Sequence, residues 1–190
     1  MSTPNERPLR ADAVRNRRRA LDAATALLAE SGTTLSVDAI AKRAGMGTGT
    51  VVRAFGGKDA LIDAAVAELL EPIVKRGREL QGEGEGPESL RVFMRELMAF
   101  QAAHYAVSDQ LGGLDLPATG KLRAELVEIV AGMVKRARER GEIRDDIAPA
   151  AITALLGETA FAIAKASNDT PALADAFITV LFDGLRPASG

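Results

Sequence analysis

The chain has 190 residues, 47% of them apolar, and a formal net charge of −2; that is ample material for a buried core and argues against a disordered or fibrous chain. Aromatic residues make up 4% and cysteine is absent, so the chain is built from helix formers such as Ala and Leu, and disulfides, thiolate zinc sites and thiol nucleophiles are excluded. The Arg-rich start lacks an apolar stretch and no apolar run reaches membrane-spanning length, so a cytoplasmic protein without membrane attachment is expected.

The small net charge conceals a polarity. Residues 1–58 hold 10 Lys and Arg against 5 Asp and Glu, whereas residues 59–190 hold 14 against 21. A basic head on an acidic body suits a nucleic-acid-binding unit joined to one with a different partner. The expected domains are therefore 1–58 and 59–190.

The first helix is predicted over 12–30, with Leu21, Ala24, Leu27 and Leu28 on its buried face and Ser31-Gly32 as its exit. Its N-terminal half carries Arg15, Arg17, Arg18 and Arg19, which oppose the helix macrodipole. Local helix physics does not explain them; phosphate contact does, and a solvated basic face is the alternative. A second short helix follows the N-cap Ser36, with Asp38 in its first turn and Gly45 as its stop. A third spans 48–55 and is ended by Gly56-Gly57. A long fourth helix starts at Lys58 or Asp59 and contains Pro72, which predicts a kink near Glu71.

The stretch 81–87 reads as a loop, and Glu83, Glu85 and Glu88 as solvated charge, so no metal site is expected. A fifth helix over 88–111 places Leu90, Phe93, Leu97, Phe100, His104, Val107 and Leu111 on one face before Gly112-Gly113. Another helical stretch covers 120–140 and closes at Gly141; its Arg136, Arg138 and Arg140 suit the macrodipole without needing a ligand. The last two helices are predicted over 149–167 and 171–185, with Pro171 at a first helical position behind the cap Thr170. There is no internal repeat and no strand pattern, so the fold class is all-α.

Two short helices joined by a tight turn need a small residue facing the partner, a glycine in the turn and an apolar residue pointing back. Ala41, Gly45 and Val51 supply these, with Ile40, Ala44 and Met46 completing a small core. The run from Ile40-Ala41 through Ala44-Gly45-Met46, Gly47-Thr48-Gly49-Thr50-Val51-Val52-Arg53-Ala54-Phe55 and Lys58-Asp59-Ala60-Leu61 resembles the TetR family of bacterial transcriptional regulators. The resemblance is specific over residues 12–62. It is looser in Gly141-Glu142-Ile143-Arg144-Asp145-Asp146 and in Asp183-Gly184-Leu185-Arg186-Pro187. Two positions depart from the family pattern: Val52 stands where a phosphate-reaching Tyr is typical, and Ala54 where a polar residue is common. The glycines at 45, 47 and 49 do not form a dinucleotide loop, because the segment before them is helical.

The resemblance implies about nine helices: a three-helix helix-turn-helix DNA-binding domain and a C-terminal helical domain for ligand binding and dimerisation. The implied partners are a double-stranded DNA operator, a small-molecule effector and a second copy of the chain; the implied function is a repressor released from a palindromic operator by the effector. The DNA-facing candidates are Arg15, Arg17, Arg18, Ser36, Thr48, Gly49, Thr50, Arg53 and Lys58. Among them Thr48 and Thr50 suit phosphate oxygens or a thymine methyl, Arg53 suits guanine, and Lys58 suits a phosphate at a helix N-terminus. Candidate ligand liners are Phe93, Leu97, Phe100, His104, Tyr105, Met133 and Phe161, with Met94 and Met98; His104 reads equally as a satisfied core histidine. The resemblance places dimerisation in the last two helices, and two apolar stripes are consistent with it while reading as readily as core: Leu173, Phe177, Val180 and Leu181 on the last, and Ile152, Leu155, Leu156, Ala160 and Ile163 on the one before. One histidine and no cysteine leave no nucleophile–base pair, so neither catalysis nor a cofactor is expected. A helical adaptor that has lost DNA binding is the alternative, motivated by Val52 and Ala54.

Overall fold

Eight helices and no strand occupy the described residues of a computed structural model, namely 6–28, 30, 36–82, 86–104, 111, 114, 116–167 and 172–187, with the side chains of 6–10, 86, 87 and 167 left aside. Two compact units result, Met1–Leu70 with Ala106–Gly120 and Glu71–Tyr105 with Lys121–Gly190. About nine helices were expected; Ser31-Gly32, Glu83, Glu85, Tyr105, Val107, Gly112-Gly113 and Thr170-Pro171 lie outside the described residues.

The first unit is built on α1 (Glu6–Leu28), α2 (Val37–Ala44) and α3 (Thr48–Phe55), each packed on the other two. Its core takes Ala20, Ala23, Ala24, Leu27 and Leu28 from α1, Ile40, Ala41 and Ala44 from α2, and Val51 and Phe55 from α3. Leu21, expected on the buried face, is half-buried, and Ala20 and Ala23 take the inner positions. A face of small residues lets neighbouring backbones come close. Helix α1 starts at Glu6 instead of Asp12, and Pro8, within its first turn, removes no donor that the helix needs there.

Helix α4 (Lys58–Gly82) is a single element across Pro72, and the division between the two units falls just before that proline, after Leu70. In the first unit α4 buries Leu61, Ile62, Ala65 and Val66, and with them the carboxylate of Asp63. Asp63 has a specific task. Its two oxygens accept from the backbone N–H groups of Ala118 and Thr119 at 2.9 and 2.8 Å, and its carbonyl accepts from the Thr119 hydroxyl at 3.5 Å. These donors belong to the first turn of α6 (Pro117–Glu139), so a residue 55 positions away caps that helix. Leu116, directly before Pro117, has no polar side chain to do so, which is why the sequence placed the start at Gly120.

The second unit contains the rest of α4, α5 (Gly86–Ala103), most of α6, α7 (Pro149–Ser167) and α8 (Ala172–Gly184). Helix α5 packs on α7 and α8, and these on each other. Helix α5 ends at Ala103, earlier than the predicted Leu111. Leu90, Phe93, Leu97, Met94 and Met98 from α5 are buried with Ile129, Met133 and Val134 from α6, Ile152, Leu156 and Ala160 from α7, and Ile178 and Phe182 from α8. Gly77 in α4 is required by packing: a Cβ there would lie 2.8 Å from Cζ of Phe93 and 2.9 Å from Cγ2 of Ile129. A glycine inside a helix costs about 1 kcal/mol against alanine, and here the close approach of three helices offsets it.

The two later motifs of the sequence meet. The Arg144 N–H donates to the Leu185 carbonyl at 2.8 Å, and its guanidinium donates to the Gly184 carbonyl at 3.1 Å while pairing with Asp146 at 2.6 Å. Arg138 donates to the Asp145 carbonyl at 2.6 Å, so it ties down the turn after α6 as well as suiting the macrodipole. Among the described residues no helix is long and apolar enough to cross a membrane.

Burial alone would raise the Asp63 pKa, but its backbone donors Thr119 and Ala118, with the Thr119 hydroxyl, outweigh it and hold the carboxyl below its ordinary value. Its contribution to stability is therefore present above the ordinary carboxylate pKa and is lost as pH falls through the depressed one. Asp63→Ala is expected to lower unfolding stability at neutral pH by about 1–3 kcal/mol in urea titrations, because the buried Thr119 donor and the part-buried Ala118 donor lose their acceptor. The gap should close at strongly acidic pH; a gap that persists there would assign the effect to packing.

Candidate nucleic-acid interface

Helices α2 and α3 form the helix-turn-helix through local rules that the sequence carries openly. The Ser36 side chain accepts from the Ala39 N–H at 3.1 Å and starts α2. Gly45 ends it with φ 62°, its N–H reaching the Ala41 and Lys42 carbonyls. That left-handed conformation is costly for any residue with a Cβ, and it swings the chain directly into α3. Gly47 caps α3 without a side-chain bond, and the Thr50 N–H turns back to the Gly47 carbonyl at 2.9 Å, so the Thr48 and Gly49 N–H groups are the ones that lack an intrahelical acceptor. Helix α3 ends at Gly56 with φ 82°, and α4 begins at Lys58.

The outward face of α3 is Thr48, Gly49 and Arg53, all exposed, flanked by half-buried Thr50 and Val52. The Thr48 hydroxyl donates to the Asp38 carboxylate at 3.0 Å, linking the two helices at their exposed edge. The Arg53 guanidinium lies along the helix over Gly49, Nη1 being 3.7 Å from where a Cβ would stand. Bare glycines at 47 and 49 thus leave Arg53 as the long polar side chain of this face. Exposed Lys58 sits at the N-terminus of α4.

The arginines of α1 are placed differently from one another. Arg15 is exposed and pairs with Asp12. Arg17 donates to the Ala54 carbonyl at 2.6 Å, with its guanidinium 4.0 Å from the Phe55 ring centroid. Arg18 pairs with Asp22 at 2.7 Å and with Glu68 at 2.8 Å, and Glu68, by hydrogen bond and charge, holds the guanidinium pKa above its ordinary value. Arg19 donates to the Ala44 carbonyl at 2.6 Å. The pairs with Asp12 and Asp22 are i,i+3 and i,i+4 neighbours on α1 itself, whereas Ala54, Glu68 and Ala44 are tertiary partners that spacing does not foretell. Ser36, listed by sequence among residues near DNA, is half-buried and committed to its cap.

In the second unit, Phe93 and Leu97 on α5 and Met133 on α6 are buried. Phe100 and His104 are half-buried at the end of α5, and Phe161 on α7 is 42% exposed. Nδ1 of His104 lies 2.8 Å from the Phe100 carbonyl; a carbonyl only accepts, so Nδ1 carries a proton and the neutral ring keeps Nε2 as an acceptor. Gln101, which sequence reading passed over, has its Oε1 buried without a hydrogen-bond partner. Among the described residues no group of His, Asp and Glu could hold a metal.

Residues 20–65 match the family described as bacterial regulatory proteins, tetR family, and residues 86–187 match the C-terminal domain of SbtR-like transcriptional regulators. The chain is similar to the crystal structure of a TetR transcription regulatory protein from Mycobacterium vanbaalenii, at 36% identity over 94% of this chain and 99% of that one, with a TM-score of 0.62. It is also similar to a TetR transcriptional regulator from Streptomyces coelicolor, at 30% identity over 91% and 99% with a TM-score of 0.64. The fold is shared with the regulator FadR from Bacillus subtilis, solved in complex with stearoyl-CoA, at 22% identity over 89% and 99% with a TM-score of 0.71. No curated protein matches.

Proposed function

The chain belongs to the TetR family of bacterial regulatory proteins, transcriptional regulators with a helix-turn-helix DNA-binding unit, and we propose on that premise that it is a repressor released from a palindromic operator by a small molecule. The observation that carries the DNA reading is the outward face of α3, where Thr48, Gly49 and Arg53 stand exposed together. Arg53 has the planar fork that pairs with guanine O6 and N7, while Thr48, Thr50 and Lys58, with exposed Arg15 and Arg18, meet backbone phosphates. Residues 1–58 are the DNA-binding domain in this reading and 59–190 the ligand-binding and dimerisation domain. Selecting duplexes from a random pool, followed by mobility shifts over a range of salt, tests the function; a protein that enriches no duplex is the helical adaptor instead.

Dimerisation through the last two helices is supported by what they leave outside. Helix α7 buries Ile152, Leu156 and Ala160 while Leu155 and Phe161 face outward, and α8 buries Ile178 and Phe182 while Val180 is 73% exposed. Large apolar groups left exposed on two adjacent helices suit a second copy of the same surface. Val180→Asp is expected to weaken the dimer by a hundred-fold or more, on the order of the cost of an unpaired charge in an interface, as read by sedimentation. A dimer of undiminished strength would move the interface elsewhere.

The effector is proposed to sit among Phe93, Leu97 and Met133 with Phe100, His104 and Gln101 at the polar end; the fold relative FadR is solved in complex with stearoyl-CoA, whose acyl chain is long and apolar. Linkage requires that operator DNA weaken effector binding by the factor with which effector weakens DNA binding, typically about 5–150-fold. Calorimetry on a small molecule found by thermal-shift screening, with and without selected duplex, measures this; equal affinities would make the molecule a structural ligand.

Arg53→Ala is expected to lose discrimination at one base pair of each half-site, by about 1–3 kcal/mol, while affinity for other single-base variants falls little further. The readout is a panel of single-base operator variants. A uniform loss over the whole panel would place Arg53 on the phosphate backbone.

A further inference from the structure

Three consecutive arginines of α1 reach three different helices. Arg17 donates to Ala54 in the last turn of α3, Arg18 pairs with Glu68 of α4, and Arg19 donates to Ala44, the last residue of α2. Successive residues on a helix point about 100° apart, so a run of three fans out to neighbours on three sides. The two carbonyls taken by Arg17 and Arg19 belong to the C-terminal ends of helices, where carbonyls lack intrahelical partners and a cation is favoured by the macrodipole. Because α1 begins at Glu6, these cations lie about three turns into it, beyond the reach of its own N-terminal dipole. Their position makes sense as attachment to α2 and α3.

Arg17 holds α3 in two ways at once. One guanidinium nitrogen donates to the Ala54 carbonyl at 2.6 Å, while the plane lies over the ring of Phe55, 4.0 Å from its centroid. Phe55 is the residue that, with Val51, buries the inner side of α3. The grip is therefore on the end of the recognition helix and on the side chain that anchors it. A phosphate contact made without breaking this grip would have to use the remaining N–H groups of the exposed guanidinium.

We propose that Arg17 is a positioning residue for DNA reading: it sets the orientation of α3, and through it the placement of Arg53, and does not serve as a phosphate contact. Arg19 acts likewise on α2, where a Cβ on Gly45 would stand 3.3 Å from its guanidinium. This inference rests on the reading of α3 as the DNA-facing helix. It separates the basic run of α1 into residues that neutralise DNA and residues that build the reader, a distinction that charge counting cannot make.

Arg17→Lys and Arg17→Gln distinguish the roles. Lysine keeps the charge, so it would preserve a phosphate contact, but its ammonium lacks the planar fork that stacks on a ring while donating to a carbonyl. Affinity for duplexes selected by the wild-type protein and for a scrambled duplex is measured between about 50 and 200 mM salt. The expected result is that both variants lose roughly ten-fold in the ratio of selected to scrambled affinity, the scale of a charge-assisted hydrogen bond with a cation–π contact. The salt slope of each stays that of the wild-type protein. A lysine variant that binds like wild type, or a glutamine variant whose slope flattens by about 0.9 with equal losses on both duplexes, would overturn the proposal. Hydrogen exchange on the free protein supplies a readout without DNA: faster exchange at α3 amides than at α4 amides is expected in Arg17→Lys, and an unchanged α3 overturns the clamp. A wild-type protein that selects no duplex overturns the reading on which the proposal stands, even where exchange still registers the clamp.

Discussion

An eight-residue helix cannot hold itself together in water, because the cost of nucleation is not recovered over two turns, and the helix that faces DNA here is eight residues long. Every contact that α3 makes with its surroundings is therefore part of its existence as a helix. Val51 and Phe55 bury its inner side, Gly56 closes its end, Asp38 engages its first residue and Arg17 holds its last turn. Its outer face is correspondingly lightly furnished. With glycines at 47 and 49, that face has few side chains beyond Thr48 and Arg53. Val52 and Ala54, which lack the polar groups usual at those positions in the family, fit this arrangement: the Ala54 carbonyl is the handle for Arg17, and Val52 is half-buried.

Helices α4 and α6 each contribute to both compact units. Within the first unit the Asp63 carboxylate fastens α4 to the opening turn of α6. Within the second, Gly77 admits Ile129 closely, and Arg78 grips Glu125 through two hydrogen bonds at 2.5 and 2.9 Å. The same two helices are thus tied together at both ends of their shared course, by a buried cap and by a tight crossing with an exposed ion pair. An exposed pair contributes little to stability; the buried cap and the glycine crossing are the parts that resist sliding.

The second unit shows a division of labour between core and surface that hydrophobicity alone does not reveal. Both α7 and α8 are apolar on more than one side, so their sequence stripes mix residues that face inward with residues that face out. Leu173, Phe177, Val180 and Leu181 of the last helix form the less buried side, while Ile178, Phe182 and Leu185 are its core. The turn after α6 is latched to the end of α8 by Arg144. Two short motifs about forty residues apart, each meaningful in the sequence only by likeness, are in fact the two halves of one junction, with |i−j| of 40 between Arg144 and Gly184.

The sequence by itself determined the all-helical class, the bounds of α2, α3 and α7 and the family. These follow from signals within a few residues of the point they govern: the cap at Ser36, the left-handed glycines at 45 and 56, and apolar residues at helical spacing. Helix ends governed by local chemistry were legible for the same reason. Tertiary structure alone decided the start of α6, whose cap comes from Asp63, and the need for Gly77, which lies in the crossing of three helices. It also decided which arginines of α1 reach beyond their own helix, Arg17 to Ala54, Arg18 to Glu68 and Arg19 to Ala44, where Arg15 pairs within α1. Side-chain charge is visible in a sequence, but whether a guanidinium faces solvent, a carboxylate or the end of another helix depends on residues brought near by folding. Arg15, Arg17 and Arg18 are alike in composition and have three different partners, because each points in its own direction from the same helix.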